Sequence, residues 1–147
     1  MNVGMSDWDV ITVGGSVSGL LAAKGVVEAG YTVQLLEEDL EIGIPERCDG
    51  LVSMKCLEKL GIAPTNNIIQ NIIKRATFYS PSGLTAEVDA RRQRVLVLDR
   101  SQFDRELAKI AIRSGVDIKV GNRVTNKIEK DGIVRVESKS GVHTAKW

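Results

Sequence analysis

Asp9-Val10-Ile11-Thr12-Val13-Gly14-Gly15-Ser16-Val17-Ser18-Gly19-Leu20-Leu21-Ala22-Ala23 is the stretch that decides the fold. Residues 9–13 form a short β-branched run that stops abruptly at Gly14-Gly15, the pattern of a buried strand feeding a tight turn. Residues 18–29 are small or apolar with only Lys24 and Glu28 charged, which predicts a mostly buried helix, and Gly30 supplies its stop. Residues 31–36 then read as a second strand. Strand, helix and strand follow one another in the length of a crossover, and the right-handed rule makes such a β-α-β pair parallel.

A helix that starts straight after a parallel strand presents free N–H groups and a partial positive charge to a pyrophosphate, provided the turn is tight enough to let it approach. Gly14, Ser16 and Gly19 occupy the three positions of the G-x-G-x-x-G fingerprint, so serine replaces the middle glycine. Its Cβ takes up clearance beside the phosphate, and its hydroxyl offers a hydrogen bond in return. Glu37 stands eighteen residues after Gly19, near the roughly 20-residue spacing at which an acid accepts hydrogen bonds from ribose hydroxyls and repels a 2′-phosphate. Glu38 is the alternative for that role. The candidate cofactor-binding residues are therefore Gly14, Gly15, Ser16, Ser18, Gly19, Glu37 and Glu38. The plainer alternative is a tight turn in a non-binding α/β domain, with Glu37 a solvated strand end.

Working outward, residues 52–60 read as a helix that Gly61 ends. Residues 74–79 and 84–88 flank Ser80-Pro81-Ser82-Gly83 as an antiparallel hairpin, with 94–98 as its third strand. Ser101 is placed to cap a helix with an apolar stripe at Phe103, Leu107, Ile110 and Ala111, closed by Gly115. Residues 116–120 return to strand. Residues 123–128, 133–137 and 142–147, separated by Asp131-Gly132 and Ser140-Gly141, make a small antiparallel meander. The fold class is α/β: a Rossmann-like β-α-β dinucleotide unit, a parallel sheet and an antiparallel meander. One domain spans residues 1–147, with 64–98 a β-hairpin insertion.

Composition narrows the function classes. At 147 residues and 43% hydrophobic, the chain supports one core and is short for a two-domain enzyme. Twenty Lys and Arg against nineteen Asp and Glu leave a net charge of +1, so no nucleic-acid partner is expected. Apolar stretches fall far short of the roughly 20 residues that span a bilayer, and no basic region followed by an apolar one opens the chain, which points to a soluble, cytoplasmic protein. Cys48, Cys56 and the lone His143 suit neither a disulfide scaffold nor a metal site, so both thiols are expected reduced. Cys56 reads as a core residue beside Leu57 and Leu60, and His143 as a surface strand residue. Arg91, Arg92 and Arg94, with Gln93 among them, read as a solvated hairpin edge, the alternative being contact with a phosphate or lipid head group.

Three further segments carry a resemblance. Arg100-Ser101-Gln102-Phe103-Asp104, opening an alanine-bearing helix that leads to Gly115-Val116-Asp117-Ile118, is similar to the R-x-x-F-D segment of flavoproteins of the p-hydroxybenzoate hydroxylase and geranylgeranyl reductase superfamily. The loop Ile42-Gly43-Ile44-Pro45-Glu46-Arg47-Cys48-Asp49-Gly50-Leu51-Val52-Ser53 resembles the cysteine loop of the archaeal geranylgeranyl reductases, often C-G-G-L-V-S, with Asp49 as the departure. Tyr79-Ser80-Pro81 is similar to that family's Y-S-P hairpin.

The resemblance implies FAD as cofactor, with Arg100 beside the flavin nucleotide. Cys48 either lies on the flavin side of the substrate cavity, where it is the one catalytic candidate, or is a plain thiol. It implies saturation of isoprenoid double bonds, a small-molecule prenyl or lipid substrate, an electron donor and a peripheral membrane contact left open. Two family landmarks, an A-T-G-like turn after a strand starting near Lys146-Trp147 and a later G-D motif, are not in the sequence. The resemblance thus describes the N-terminal, incomplete FAD-binding part of a parent enzyme, with the fragment alone expected inactive. An aromatic monooxygenase of the same superfamily and a non-catalytic NAD-binding module are the alternatives.

Overall fold

The structure, a computed structural model, describes residues 6–92 and 94–147. In chain order the elements are β1 (Val10–Val13), α1 (Val17–Glu28), β2 (Val33–Leu36), β3 (Leu51–Ser53), α2 (Met54–Lys59), β4 (Ile69–Ile73), β5 (Arg75–Tyr79), β6 (Thr85–Asp89), β7 (Val95–Leu98), α3 (Arg100–Ser114), β8 (Asp117–Lys119), β9 (Val124–Lys130), β10 (Ile133–Ser138) and β11 (Gly141–Ala145). They fall into two compact units, the described residues up to Pro45 with Asp104–Trp147, and Glu46–Phe103.

The first unit is built on a parallel sheet of order β1-β2-β8, in which Val10 pairs with Val33 and Gln34 with Asp117. All four residues of β2 are buried, because the strand is covered on both faces. Leu36 packs with Val134 and Val136 of the meander, with Ile11 and Val124 against them. By strand alternation Val33 and Leu35 point the other way, toward the face on which α1 packs against β1 and β2. Each such fully buried Val or Leu contributes roughly 1.5–3 kcal/mol of transfer free energy. The meander β9-β10-β11 is antiparallel throughout, with its first turn at Asp131-Gly132 as expected. Beyond β11 the chain runs along β1: Ala145 bridges Trp8 in parallel, and Ile11 N–H donates to the Trp147 carbonyl at 2.9 Å. Asp9 ties this corner together, accepting from Thr32 N at 2.9 Å and from Lys146 Nζ at 2.6 Å. The Lys146 ammonium, and after it Thr32, hold the Asp9 carboxyl down from 3.8 to about 2.

α1 is less buried than its composition predicts. Leu20 and Ala23 are the buried positions, while the small residues Ala22 and Gly25 face outward, where they expose little apolar surface. The stripe on α3 also shifts: Phe103, Leu107, Ala108 and Ala111 are buried and Ile110 is exposed, as the 100° advance per residue rotates that position off the covered face.

In the second unit β7 is the centre of an antiparallel sheet of order β3-β7-β4, with Val52 and Ile72 flanking Leu96. This corrects two expectations. Residues 52–60 are not one helix: Leu51, Val52 and Ser53 pair with β7, and α2 begins at Met54 with the Ser53 hydroxyl accepting from Cys56 N at 3.2 Å. Residues 94–98 do not extend the hairpin. Among the described residues β5 and β6 pair only with each other, and Arg94, at φ 49, turns the chain away into the other sheet. β4 itself was not anticipated. Cys56 is exposed rather than core, since Leu57 takes the buried position of α2. Arg91, Arg92 and Arg94 are exposed in the connection after β6, where Arg91 pairs with Asp89; Gln93 lies outside the described residues.

Candidate cofactor site

The site forms where the carboxyl ends of three parallel strands meet, the place at which open α/β sheets bind ligands. The ladder between β1 and β2 continues one step into the turn, with Gly14 N–H donating to the Leu36 carbonyl at 2.8 Å. Gly14 then takes φ 99, a conformation that favours glycine. Gly19 is required for a different reason: a Cβ there would overlap the backbone carbonyl of Gly14, so helix and turn could not approach as closely.

Ser16 is the N-cap of α1, in extended conformation, and Leu20 N–H donates to its carbonyl at 2.9 Å. Its side chain makes no capping hydrogen bond, and no acid stands in the first turn. The first N–H groups of a helix have no intrahelical acceptor, so this uncapped, exposed terminus, with the hydroxyls of Ser16 and Ser18, is matched to an anion. The open space beside Gly14, where a Cβ would meet nothing within 4 Å, gives a pyrophosphate room to reach it. These residues fit a dinucleotide.

Glu37 follows β2 directly, and its carboxylate bridges to the turn. Oε2 accepts from Gly15 N–H, and Oε1 accepts from Asp39 N–H at 2.9 Å. An ionised carboxylate has about four lone-pair sites, so two remain for ribose hydroxyls. Glu38 points elsewhere: it is exposed and pairs with Arg123 Nε at 3.6 Å. The backbone of Glu37 completes the junction, donating to the Lys119 carbonyl at 2.9 Å and accepting from Asn122 N–H at 2.7 Å.

Gly14, Gly15, Ser16, Ser18, Gly19 and Glu37 thus converge within one unit, while Glu38 lies in the same unit but turns toward Arg123. Cys48 and Arg100 belong to the second unit. Cys48 is exposed in the loop before β3, and both cysteines are free thiols. Arg100 is the half-buried first residue of α3. The cap of that helix is Asp99 rather than Ser101: Asp99 Oδ1 accepts from Gln102 N–H and from the Ser101 hydroxyl, each at 2.9 Å. The Gln102 amide, followed by Ser101, holds the Asp99 carboxyl below its ordinary range. His143 is half-buried in β11, 2.9 Å from the Ser138 hydroxyl and 3.1 Å from that of Ser140.

Sequence reasoning passed over Ile42 and Asn122. Asn122 is buried, with Nδ2 donating to the Val120 carbonyl at 2.8 Å. Its position just past the end of β8, a third parallel strand end, was the available signal.

Residues 7–145 match the FAD binding domain family. Over 133 residues the chain is 39% identical to the digeranylgeranylglycerophospholipid reductase of Methanoculleus marisnigri, covering 88% of this chain and 33% of that one. The reductase of that name from Methanocella arvoryzae is likewise 39% identical, over 132 residues, with the same coverage of each chain. The chain therefore spans about a third of the length of these curated relatives. Among solved structures it is similar to a geranylgeranyl bacteriochlorophyll reductase-like protein from Thermoplasma acidophilum, at TM-score 0.82 and 28% identity, covering 97% of this chain and 38% of that one. The p-nitrophenol 4-monooxygenase of Pseudomonas putida shares the fold, at TM-score 0.68 and 21% identity over 97% of this chain and 40% of its own. With the family match running from the strand before the glycine turn to the end of the meander, this chain belongs to the FAD binding domain family, and its cofactor is FAD.

Proposed function

We propose that this chain is the FAD-binding part of a flavin-dependent reductase that saturates isoprenoid double bonds in lipid biosynthesis. The observation that carries the reading is the 39% identity to a digeranylgeranylglycerophospholipid reductase across 88% of the chain, a coverage wide enough to include Glu37 and the cysteine loop. FAD, when bound and reduced, supplies the hydride for such a saturation. The chain's own part is binding and orientation. The α1 terminus with Ser16 and Ser18 takes the pyrophosphate, and Glu37 takes the adenosine ribose and disfavours a 2′-phosphate. Arg100 sits beside the flavin nucleotide and Cys48 on the flavin side of the substrate cavity.

The substrate would be a prenyl chain or prenylated lipid, with a separate electron donor and a cytoplasmic location peripheral to the membrane. No helix among the described residues is long and apolar enough to cross a membrane. The p-nitrophenol monooxygenase likeness supports a second reading, aromatic hydroxylation, through fold alone.

The test is a chimera in which residues 7–145 replace the matching segment of the Methanoculleus reductase. It should copurify with flavin and reduce geranylgeranyl lipid with a chemical reductant, and Cys48→Ala in it should lower turnover while flavin stays bound. A folded, flavin-loaded chimera that hydroxylates a phenol and leaves the lipid untouched would overturn the reading. A Cys48→Ala chimera of undiminished turnover would return Cys48 to a plain thiol.

A further inference from the structure

The loop after β2 carries three large apolar residues with very different fates: Leu40 is 78% exposed, Ile44 46% and Ile42 only 8%. What covers Ile42 is the glycine turn. A Cβ built on Gly15 would overlap the Ile42 Cδ1 and would stand 3.0 Å from Glu37 Oε2 and 3.3 Å from Glu37 Cβ. Gly15 is therefore bare because two side chains, Glu37 just after β2 and Ile42 in the loop beyond, lie against it. The loop is pinned at two points just ahead of Ile42. Asp39 accepts at its carbonyl from Gly121 N–H at 2.7 Å, and Glu41 Oε2 accepts from Arg105 at 3.0 Å. With residues 39 and 41 anchored, the Ile42 side chain falls over the turn beside the Gly15–Glu37 hydrogen bond.

We propose that Ile42 is a positioning residue for the adenosine end of FAD. Its Cδ1 closes one side of the glycine turn, keeps water from the Gly15 amide and holds the Glu37 carboxylate in the orientation at which it meets the ribose. This role rests on the FAD assignment and adds to it a residue that lies in no phosphate or ribose motif. Ile42 acts through Glu37, so the two substitutions should couple.

The experiment follows two signals in this chain: hydrogen exchange of the Gly15 amide without ligand, and affinity for ADP and for FAD. In Ile42→Ala the Gly15 amide should exchange about tenfold faster, and ADP and FAD should weaken by one common factor, about tenfold, a coupling within the range seen for residues in contact. Ile42→Val should recover most of both signals. In a Glu37→Gln background, Ile42→Ala should cost no further affinity. Should Ile42→Ala fail to fold, Ile42→Val carries the comparison with a smaller, about threefold, loss in both signals. Unchanged Gly15 exchange, or an affinity loss of equal size with and without Glu37, overturns the role and leaves the cofactor assignment standing. A parent chain that binds neither ADP nor FAD overturns both.

Discussion

Replacing Glu37 by alanine should have two separable effects, because the carboxylate serves the turn before any cofactor arrives. Without ligand, the substitution leaves Gly15 N–H and Asp39 N–H without their charged acceptor. Hydrogen bonds to charged groups contribute roughly 1.5–3 kcal/mol each. Both of these are part-buried, so water recovers some of that, and a total loss of about 1–3 kcal/mol is expected. For a domain of this size that lowers Tm by roughly 3–10 °C. With ligand present, the ribose loses its acceptor too, and FAD affinity should fall by a further ~1–3 kcal/mol, about 5- to 150-fold. Thermal melting by circular dichroism reads the first effect and flavin fluorescence titration the second. Glu37→Gln is the informative control, since its amide keeps one acceptor and turns an N–H₂ toward the other backbone donor, so it should recover less than half of either loss. Unchanged melting and affinity in Glu37→Ala, with a large affinity loss in Glu38→Ala, would refute the assignment and move the role to the neighbour.

Gly19→Ala places a Cβ against the Gly14 carbonyl, a backbone atom that cannot yield without moving the turn, so FAD binding should drop at least tenfold in the same titration while the meander's amides keep their exchange protection. Asp99→Ala removes the acceptor for Gln102 N–H at the start of α3 and should lower the midpoint of denaturant melts, most of the loss being restored by Asp99→Ser. Asp9 has its carboxyl lowered from 3.8 to about 2, chiefly by the hydrogen bond from Lys146, so the folded state resists its protonation. Its stabilisation is complete above about pH 4 and lost as pH falls through about 2, so the Tm gap between parent and Asp9→Asn should be constant at neutral pH and close across that window.

How much of this was legible depended on whether the signal was local. The β-α-β unit could be read because each boundary is written in adjacent residues: Val13 to Gly14, Glu28 to Gly30, Leu36 to Glu37. The meander could be read for the same reason, its turns marked by Asp131-Gly132 and Ser140-Gly141. The second unit resisted because its pairings are non-local. Val52 looks as apt for a helix as for a strand until Leu96 is known to lie beside it, and residues 95–98 follow a hairpin in sequence but pair with β3 and β4. Cap choice failed over a spacing of two residues: Asp99 and Ser101 are both good caps, and the Asp99 side chain reaches Gln102 N–H while the Ser101 hydroxyl is spent on Asp99. Ile42 was illegible in principle. Nothing distinguishes it from Leu40 or Ile44 except which of the three the anchored loop turns inward.

The spacing between the last glycine and the acid has a physical origin that the structure makes explicit. α1 is twelve residues long, a rise of about 18 Å, and it carries the chain away from the glycine turn toward the amino end of the sheet. The four residues of β2, at about 3.3 Å each, together with the bend through Gly30 and residues 31–32, bring it back along the same axis. Outward and return paths then differ by little, so the residue after β2 must lie beside the turn after β1. Glu37 does, with the Gly14 N–H to Leu36 carbonyl bond fixing the register and the Gly15 N–H to Glu37 bond using it. One residue added to the bend after α1 would advance the register by one, reverse the faces of Val33 to Leu36 and exchange Glu37 for Leu36 beside Gly15. The burial of all four β2 residues therefore protects the turn as well as the core: the packing that resists a slip of β2 is also what keeps an acid, rather than a leucine, beside Gly15.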